Sequence, residues 1–392
     1  LAEPPPPERR AAILARLGFA EGMLSAPSGI DHLGGALDAT TDPVARARIA
    51  VVMVRLLLFT DGVDRAVALA GECAAALPPG YDDLRLQLAS GRLAAVHWRL
   101  TRQAFDDPEY DRYRGPLVAD TPGARMLAAL TGYRDLMAGL PAAHCAGLAR
   151  LAVQDGVLVE AENVGVPYSG ALITLALADD EEAVRACEMS MARAHRTGSL
   201  FEASGAAIFR GLTRLCRGEL DEAAADLTGI TVQTAAWGSG DVTSTAAAHE
   251  AEMLLERGDL AGARGVLDLA RPDLSASTTN CAWWLGTHLQ VLLAEGAHAQ
   301  VLDLAADCER RFAGTVTNPV VVPWRSVRAL ALHRMGRRRE ALASAASELG
   351  PARTWGAPRT LGRALRVRGT VGGDLDVLRE AVAVLETSPA RL

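Results

Sequence analysis

No lysine occurs anywhere in the 392 residues, so all 40 basic side chains are arginine. Two kinds of chemistry go with it: no P-loop lysine can reach a nucleotide phosphate, and no amine can form a Schiff base with pyridoxal phosphate or a carbonyl substrate. Aromatic residues are scarce too, at 4% of the chain. They are too few to fill a sandwich or barrel core, whereas the abundant Ala, Leu and Arg favour helices packed through small and aliphatic side chains. The six cysteines, Cys73, Cys145, Cys187, Cys216, Cys281 and Cys308, never form Cys-x-x-Cys and lie mostly inside apolar helical patterns. Buried free thiols in a reducing compartment are expected. No signal peptide is visible, and the longest apolar runs, such as Val51–Phe59 with Arg55 inside it, are too short to span a bilayer. A cytoplasmic protein with no membrane partner is the expectation. The net charge of −7, with arginines interspersed among acids, argues against direct nucleic-acid contact, which needs a clustered cationic footprint.

What is present is a repeat. An apolar helix tail, a short Gly/Asp turn and a small or charged opening with alanine soon after recur at Phe59–Ala66, Cys216–Ala223, Glu256–Ala263, Ala294–Ala299 and Arg334–Ala341. The glycines Gly218, Gly258, Gly296 and Gly336 are 38 to 40 residues apart, and the period predicts weaker copies at Gly139, Asp180, Gly372 and near Arg102. Glycine suits the place because helices commonly end in a left-handed residue. A second series, Gly165, Gly198, Gly238, Gly314 and Gly356, falls between them and marks where one hairpin hands over to the next. Apolar residues at helical spacing flank each turn, as at Leu212, Leu215 and Leu227. One hairpin cannot bury such a face alone, so neighbours must stack. The fold expected is therefore all-α, a superhelical array of antiparallel helix hairpins of tetratricopeptide kind. Residues 1–42 read as an N-terminal linker with lead-in helices, and 43–392 as the array, about eight to nine hairpins long. The period exceeds the roughly 34 residues of the standard repeat, which predicts longer helices. Leu1 preceding the stiff run Pro4–Pro7, and a stop at Leu392 soon after a helix-like segment, suggest a region of a longer polypeptide.

The runs Val316–Ser326 (VTNPVVVPWRS), His333–Leu342 (HRMGRRREAL), Trp355–Leu365 (WGAPRTLGRAL) and Leu378–Leu392 resemble the repeat region of large ATP-binding LuxR-type transcriptional regulators, a signal-transduction ATPase class. Glu8–Leu17, Ala39–Pro43 and the stretch to Leu69 are similar to the start of that region. The resemblance implies a sensing role: the repeats receive an inducer or a protein partner and control self-association of an ATPase. It also implies that ATP and DNA belong to segments outside this chain, which has no Walker motif and no recognition helix, so no cofactor is expected here.

Candidate sites are few. His249-Glu250 opens like a zinc-protease helix, but Met253 stands where the second histidine belongs, so no metal is expected. Ser169 and Ser239 lack the glycine pattern of a nucleophile elbow, so no catalytic residue is assigned and the chain is expected not to be an enzyme. Trp283, Trp284 and His288 on one helix, with Trp324 and Arg325 on the first helix of the next unit, could meet across the concave groove and hold a sugar, an acyl chain or a peptide carboxylate. Packing between long helices is the alternative for these tryptophans, and also for Trp237 and Trp355. Asn318 suits an N-cap before Pro319, and Thr317 and Asn318 could touch a ligand from the rim. Two functions remain in play: a ligand- or partner-sensing regulatory domain, and a passive protein–protein or self-association scaffold.

Overall fold

The computed structural model describes residues 7–22, 26–59, 62–101, 106–108, 110, 120–162, 165–236, 240–275 and 277–390. Among them the backbone is helical almost throughout, and extended backbone pairs only in an isolated antiparallel bridge between Arg99 and Thr278. The chain runs through α1 (Pro7–Gly22), α2 (Ala26–Asp38), α3 (Pro43–Leu58), α4 (Val63–Ala76) and α5 (Asp82–Trp98), then α6 (Pro122–Met137) and α7 (Ala142–Val153). The short α8 (Val157–Glu162) leads to α9 (Val166–Leu177), α10 (Glu182–Thr197) and α11 (Leu200–Arg217), which is followed by the short pieces α12 (Leu220–Leu227) and α13 (Ile230–Ala235). Four regular pairs finish it: α14 (Gly240–Glu256) with α15 (Leu260–Leu269), α16 (Thr279–Ala294) with α17 (His298–Phe312), α18 (Trp324–Arg334) with α19 (Arg338–Trp355), and α20 (Pro358–Gly372) with α21 (Leu375–Leu385).

The turns follow from the glycine series. Gly218, Gly258, Gly296 and Gly336 all take left-handed φ, between 75° and 83°. At the first of them Gly218 N–H reaches Leu215 O at 3.0 Å and Glu219 N–H reaches Arg214 O at 3.0 Å, so two orphan carbonyls of α11 are satisfied. The same pair of bonds recurs at Gly139, where the period placed a copy. Two of the expected copies shift by one residue: the left-handed positions are Asp179 (φ 58°) rather than Asp180, and Gly373 (φ 67°) rather than Gly372, because α20 runs on to Gly372. The copy near Arg102, and Gly238 with Trp237 and Ser239, lie outside the described residues. Gly165 is not left-handed: its backbone is extended (φ −65°, ψ 164°), and it stands before α9 as its N-cap.

First helices of successive pairs stack on one another, α3 on α5, α5 on α6, α6 on α9, α9 on α11, α11 on α14, then α14, α16, α18 and α20 in turn. Second helices lie outside them. α1 packs along α2 and α2 packs on α3, so the lead-in helices continue the stack. Small residues let the pairs cross closely: a Cβ added to Gly211 would come within 2.5 Å of Leu227 in α12. All six cysteines are buried and free.

The array then closes on itself. Segment 316–322, between α17 and α18, crosses the C-terminal end of α6: Thr317 N–H donates to Met137 O (3.0 Å), Thr317 Oγ1 to Ala138 O (2.6 Å) and Asn318 Nδ2 to Leu136 O (2.9 Å). Asn318 is therefore no N-cap. Its oxygen accepts from Val320 N–H, and α18 begins only at Trp324. A second tie joins Asp179 to the start of α20, where its carboxylate accepts from Arg359 N–H (3.0 Å), Arg359 Nε (3.3 Å) and Ser388 Oγ (3.1 Å). An aspartate tolerates the left-handed turn better than most residues, and here its side chain also faces the positive end of a helix. Both ties bridge about half the chain and wind the stack into a tight superhelix.

Candidate binding groove and inner cavity

The aromatic and basic residues expected to converge do not form one site. Trp283 and Trp284 are neighbours on α16, and one residue turns a helix by about 100°, so they face different ways. Trp284 points at α15, with its indole N–H donating to Leu267 O at 3.2 Å, and His288 lies against its ring at 4.6 Å while bonding Arg264 at 2.9 Å. Burial pushes the His288 imidazole down to about 4, with the nearby arginines adding to the effect. Trp324 is buried, and Arg325 stacks on its own neighbour at 4.1 Å from the ring centroid, with Arg328 at 5.1 Å, instead of reaching across a groove. Thr317 and Asn318 are engaged with α6, and Asn318 is 1% exposed, so neither is available at a rim. Trp283 alone of the set faces the inside of the superhelix.

There it meets His97 and Tyr133, which the sequence did not single out, along with His249. Its indole N–H points to Tyr133 Oη at 3.4 Å, its ring lies 5.8 Å from His249, and Tyr133 in turn lies 5.6 Å from His97. Trp283, Tyr133 and His97 border a cavity of about 80 Å³, walled by first helices from α5 to α16, with Ile173, Phe201, Ile208, Thr245 and Asn280 among its lining. Burial dominates the electrostatics. It pushes the His97 imidazole down to about 3 and that of His249 to about 4, and raises the Tyr133 phenol, so all three are neutral at neutral pH. No charged side chain lines this cavity among the described residues.

Towards the C-terminus the concave side opens into a groove of about 430 Å³, within the range typical of binding sites. The ends of α14 and α16, segment 319–323 and the first helices α18 and α20 form its walls. Arg363 and Arg366 face it from α20 and Arg334 from α18. Arg363 Nη2 bonds Gln290 Oε1 at 3.4 Å, Arg334 Nη1 bonds Leu293 O at 3.0 Å, and Arg366 is exposed. Glu348 also borders the groove, but its carboxylate accepts from Ser326 N–H at 3.2 Å and from the Ser326 hydroxyl, so it caps α18 from α19. Burial raises its carboxyl above the usual range, and does the same to Glu252 near Arg359 and Arg363. At the N-terminus of α20 the neighbouring buried donors Arg359 Nη2 and Thr360 Oγ1 have no partner among the described residues.

His249-Glu250 is structural: Glu250 accepts from Gly229 N–H (2.8 Å), Thr231 N–H (3.1 Å) and Thr231 Oγ1 (2.6 Å), closing the start of α13. Among the described residues no group of three or more His, Cys, Asp or Glu could hold a metal ion. No described helix is long and apolar enough to cross a membrane.

No family model matches the chain, and no curated protein matches it. Among solved structures it is similar to the Cut9–Hcn1 hetero-tetramer of the APC/C, at 12% identity and a TM-score of 0.52, over 97% of this chain and 74% of that one. The fold is a tetratricopeptide-like helical repeat array. Likeness at this identity concerns fold alone. In the tetratricopeptide-like frame, the groove and the cavity both lie on the concave side, along the first helices of successive hairpins.

Proposed function

We propose that this chain is a non-catalytic interaction scaffold that receives an extended acidic segment of a partner protein in the groove bounded by α16, α18 and α20. The observation that carries the reading is the row Arg359, Arg363 and Arg366. Spaced i, i+4 and i+7, they share one face of α20: Arg363 and Arg366 line the groove and Arg359 the adjoining pocket, where Asp179 holds its Nε while its Nη2, like the Thr360 hydroxyl in the groove wall, has no partner among the described residues. A buried donor without an acceptor is costly, and a carboxylate is the acceptor that planar guanidinium groups bind best. The protein as a whole is acidic, so this row is a local exception to its net charge of −7. Fluorescence anisotropy with a labelled peptide of alternating Glu and Val, against its Gln counterpart, tests the reading. Binding of the Glu peptide roughly tenfold tighter, lost in Arg363→Glu and weakened by salt, is expected from charge-assisted bonds. Equal binding of the two peptides contradicts it.

The likeness of Val316–Ser326 and His333–Leu342 to LuxR-type regulators supports a finer reading. In it the scaffold is a regulatory domain in the cytoplasm, and occupancy of its concave side shifts the self-association of an ATP-binding parent. Sedimentation of the repeats with and without the acidic peptide bears on this. A shift in the monomer–oligomer balance is the expected result, and an unchanged balance removes the finer reading while leaving the scaffold in place.

A further inference from the structure

The inner cavity calls for an explanation that the partner groove does not supply. It lies towards the other half of the superhelix, its walls are mainly hydrocarbon and aromatic with Ser169, Thr245, Thr279 and Asn280 among the polar lining, and no charged side chain faces it among the described residues. Asn280 in its wall is left incomplete: 5% exposed, it accepts from Thr245 Oγ1 at 2.5 Å through Oδ1, while its Nδ2 has no partner among the described residues. Were the amide turned over, Thr245 would serve the nitrogen and the oxygen would be the orphan, but a hydroxyl donating to a carbonyl is the arrangement present. Tyr133 adds to the asymmetry, since its oxygen accepts from Trp283 and its own proton has no acceptor among the described residues. A buried amide N–H without an acceptor is costly, the more so in a wall that is mainly apolar.

We propose that this cavity is a binding site for a compact, uncharged, mainly hydrocarbon molecule carrying one carbonyl-type acceptor, with Asn280 Nδ2 as the donor that receives it. The apolar lining of Phe201, Ile173 and Ile208 supplies the affinity, and Asn280 supplies orientation and selectivity. Charge is excluded because neither a carboxylate nor an ammonium would find a counter-ion there. Size is bounded as well: at roughly 10–15 Å³ for each water-sized centre, the cavity has room for on the order of five to eight. A small cyclic ketone has that bulk. The site is independent of the partner groove, so either can be right without the other.

Cyclohexanone, methylcyclohexane and cyclohexanecarboxylate are the probes, and binding to the full chain is read from ligand-observed NMR, with tryptophan fluorescence reporting on Trp283. The ketone is expected to bind roughly three- to tenfold tighter than the hydrocarbon, the net worth of one hydrogen bond, and the carboxylate not at all. Asn280→Ala is expected to erase the preference of ketone over hydrocarbon while keeping both. Ile173→Phe, which fills the cavity, is expected to abolish both. The discrimination among the three probes by the unaltered protein stands even if a variant fails to fold. Equal affinity for ketone and hydrocarbon, a ketone preference that survives in Asn280→Ala, tight carboxylate binding, or no binding of either neutral probe to the folded chain would each overturn the proposal.

Discussion

Glu250 and Glu348 sit at helix starts that belong to other parts of the chain. Each satisfies backbone N–H groups that an N-cap residue would serve in an ordinary helix, Glu250 at α13 and Glu348 at α18. Removing the side chain strands those donors in a buried place. Glu348→Ala is expected to lower unfolding free energy by about 2–3 kcal/mol, and Glu348→Gln, which keeps an acceptor, by less; urea denaturation of the two variants checks the order, and equal losses would mean that packing rather than capping is at stake. Histidines give a pH dependence. His97 and His249 have folded-state values near 3 and 4, below the ordinary 6.5, so folding favours their neutral forms. Their contribution is complete above about pH 6.5 and is lost as pH falls, by about 2 kcal/mol each at pH 5. Glu252 and Glu348, raised by burial, act in the opposite sense, regaining stability as they protonate. His249→Gln compared with the unaltered chain at pH 7 and pH 5 isolates the histidine share: the variant should lose distinctly less stability between the two. In the sequence, Met253 broke the zinc-protease spacing of His249-Glu250, but the capping role of Glu250 was hidden since the recipient lies some twenty residues upstream.

At the scale of the element, the hairpin turns were the most legible feature. A left-handed residue leaves a local mark, glycine, and the mark recurs at the period of the array, so Gly139, Gly218, Gly258, Gly296 and Gly336 could be placed from sequence alone. Where another residue takes the conformation, as at Asp179, the mark slips. Gly336→Ala should cost about 1–2 kcal/mol through the strain of a Cβ in that conformation, measured as a shift of the urea midpoint with unchanged slope; no shift would show that the turn relaxes. Gly211 answers to a different constraint, close approach. A Cβ there meets buried Leu227, so Gly211→Val is expected to destabilise by about 1–3 kcal/mol through overpacking, and restoring much of it with Leu227→Ala in the same chain would show that the two are coupled. The pairing of Trp283 with Trp324 across a groove went astray for a reason of the same kind: spacing along one helix assigns a face, but it cannot say which neighbour that face meets.

At the scale of the molecule, what matters is closure, and almost none of it was legible. Asn318 with Leu136 and Arg359 with Asp179 are each about 180 residues apart, and nothing in a run such as Val316–Ser326 says that it will cross the end of α6. The cavity residues were invisible for the same reason, since His97, Tyr133, Ile173 and Asn280 come from four separate helices; the nearest thing to a signal was a polar Asn280 one turn before Trp283 on the buried start of α16. Closure is what separates the concave side into an inner cavity and an outer groove, and it sets the spacing of α16, α18 and α20 on which the partner reading depends. The direct measurement is small-angle X-ray scattering of the chain and of an Asp179→Ala, Asn318→Ala double variant. A compact profile for the unaltered chain, lengthening in the variant while its far-ultraviolet helicity is kept, is the result expected. An unaltered chain already as extended as the variant would contradict the closed superhelix.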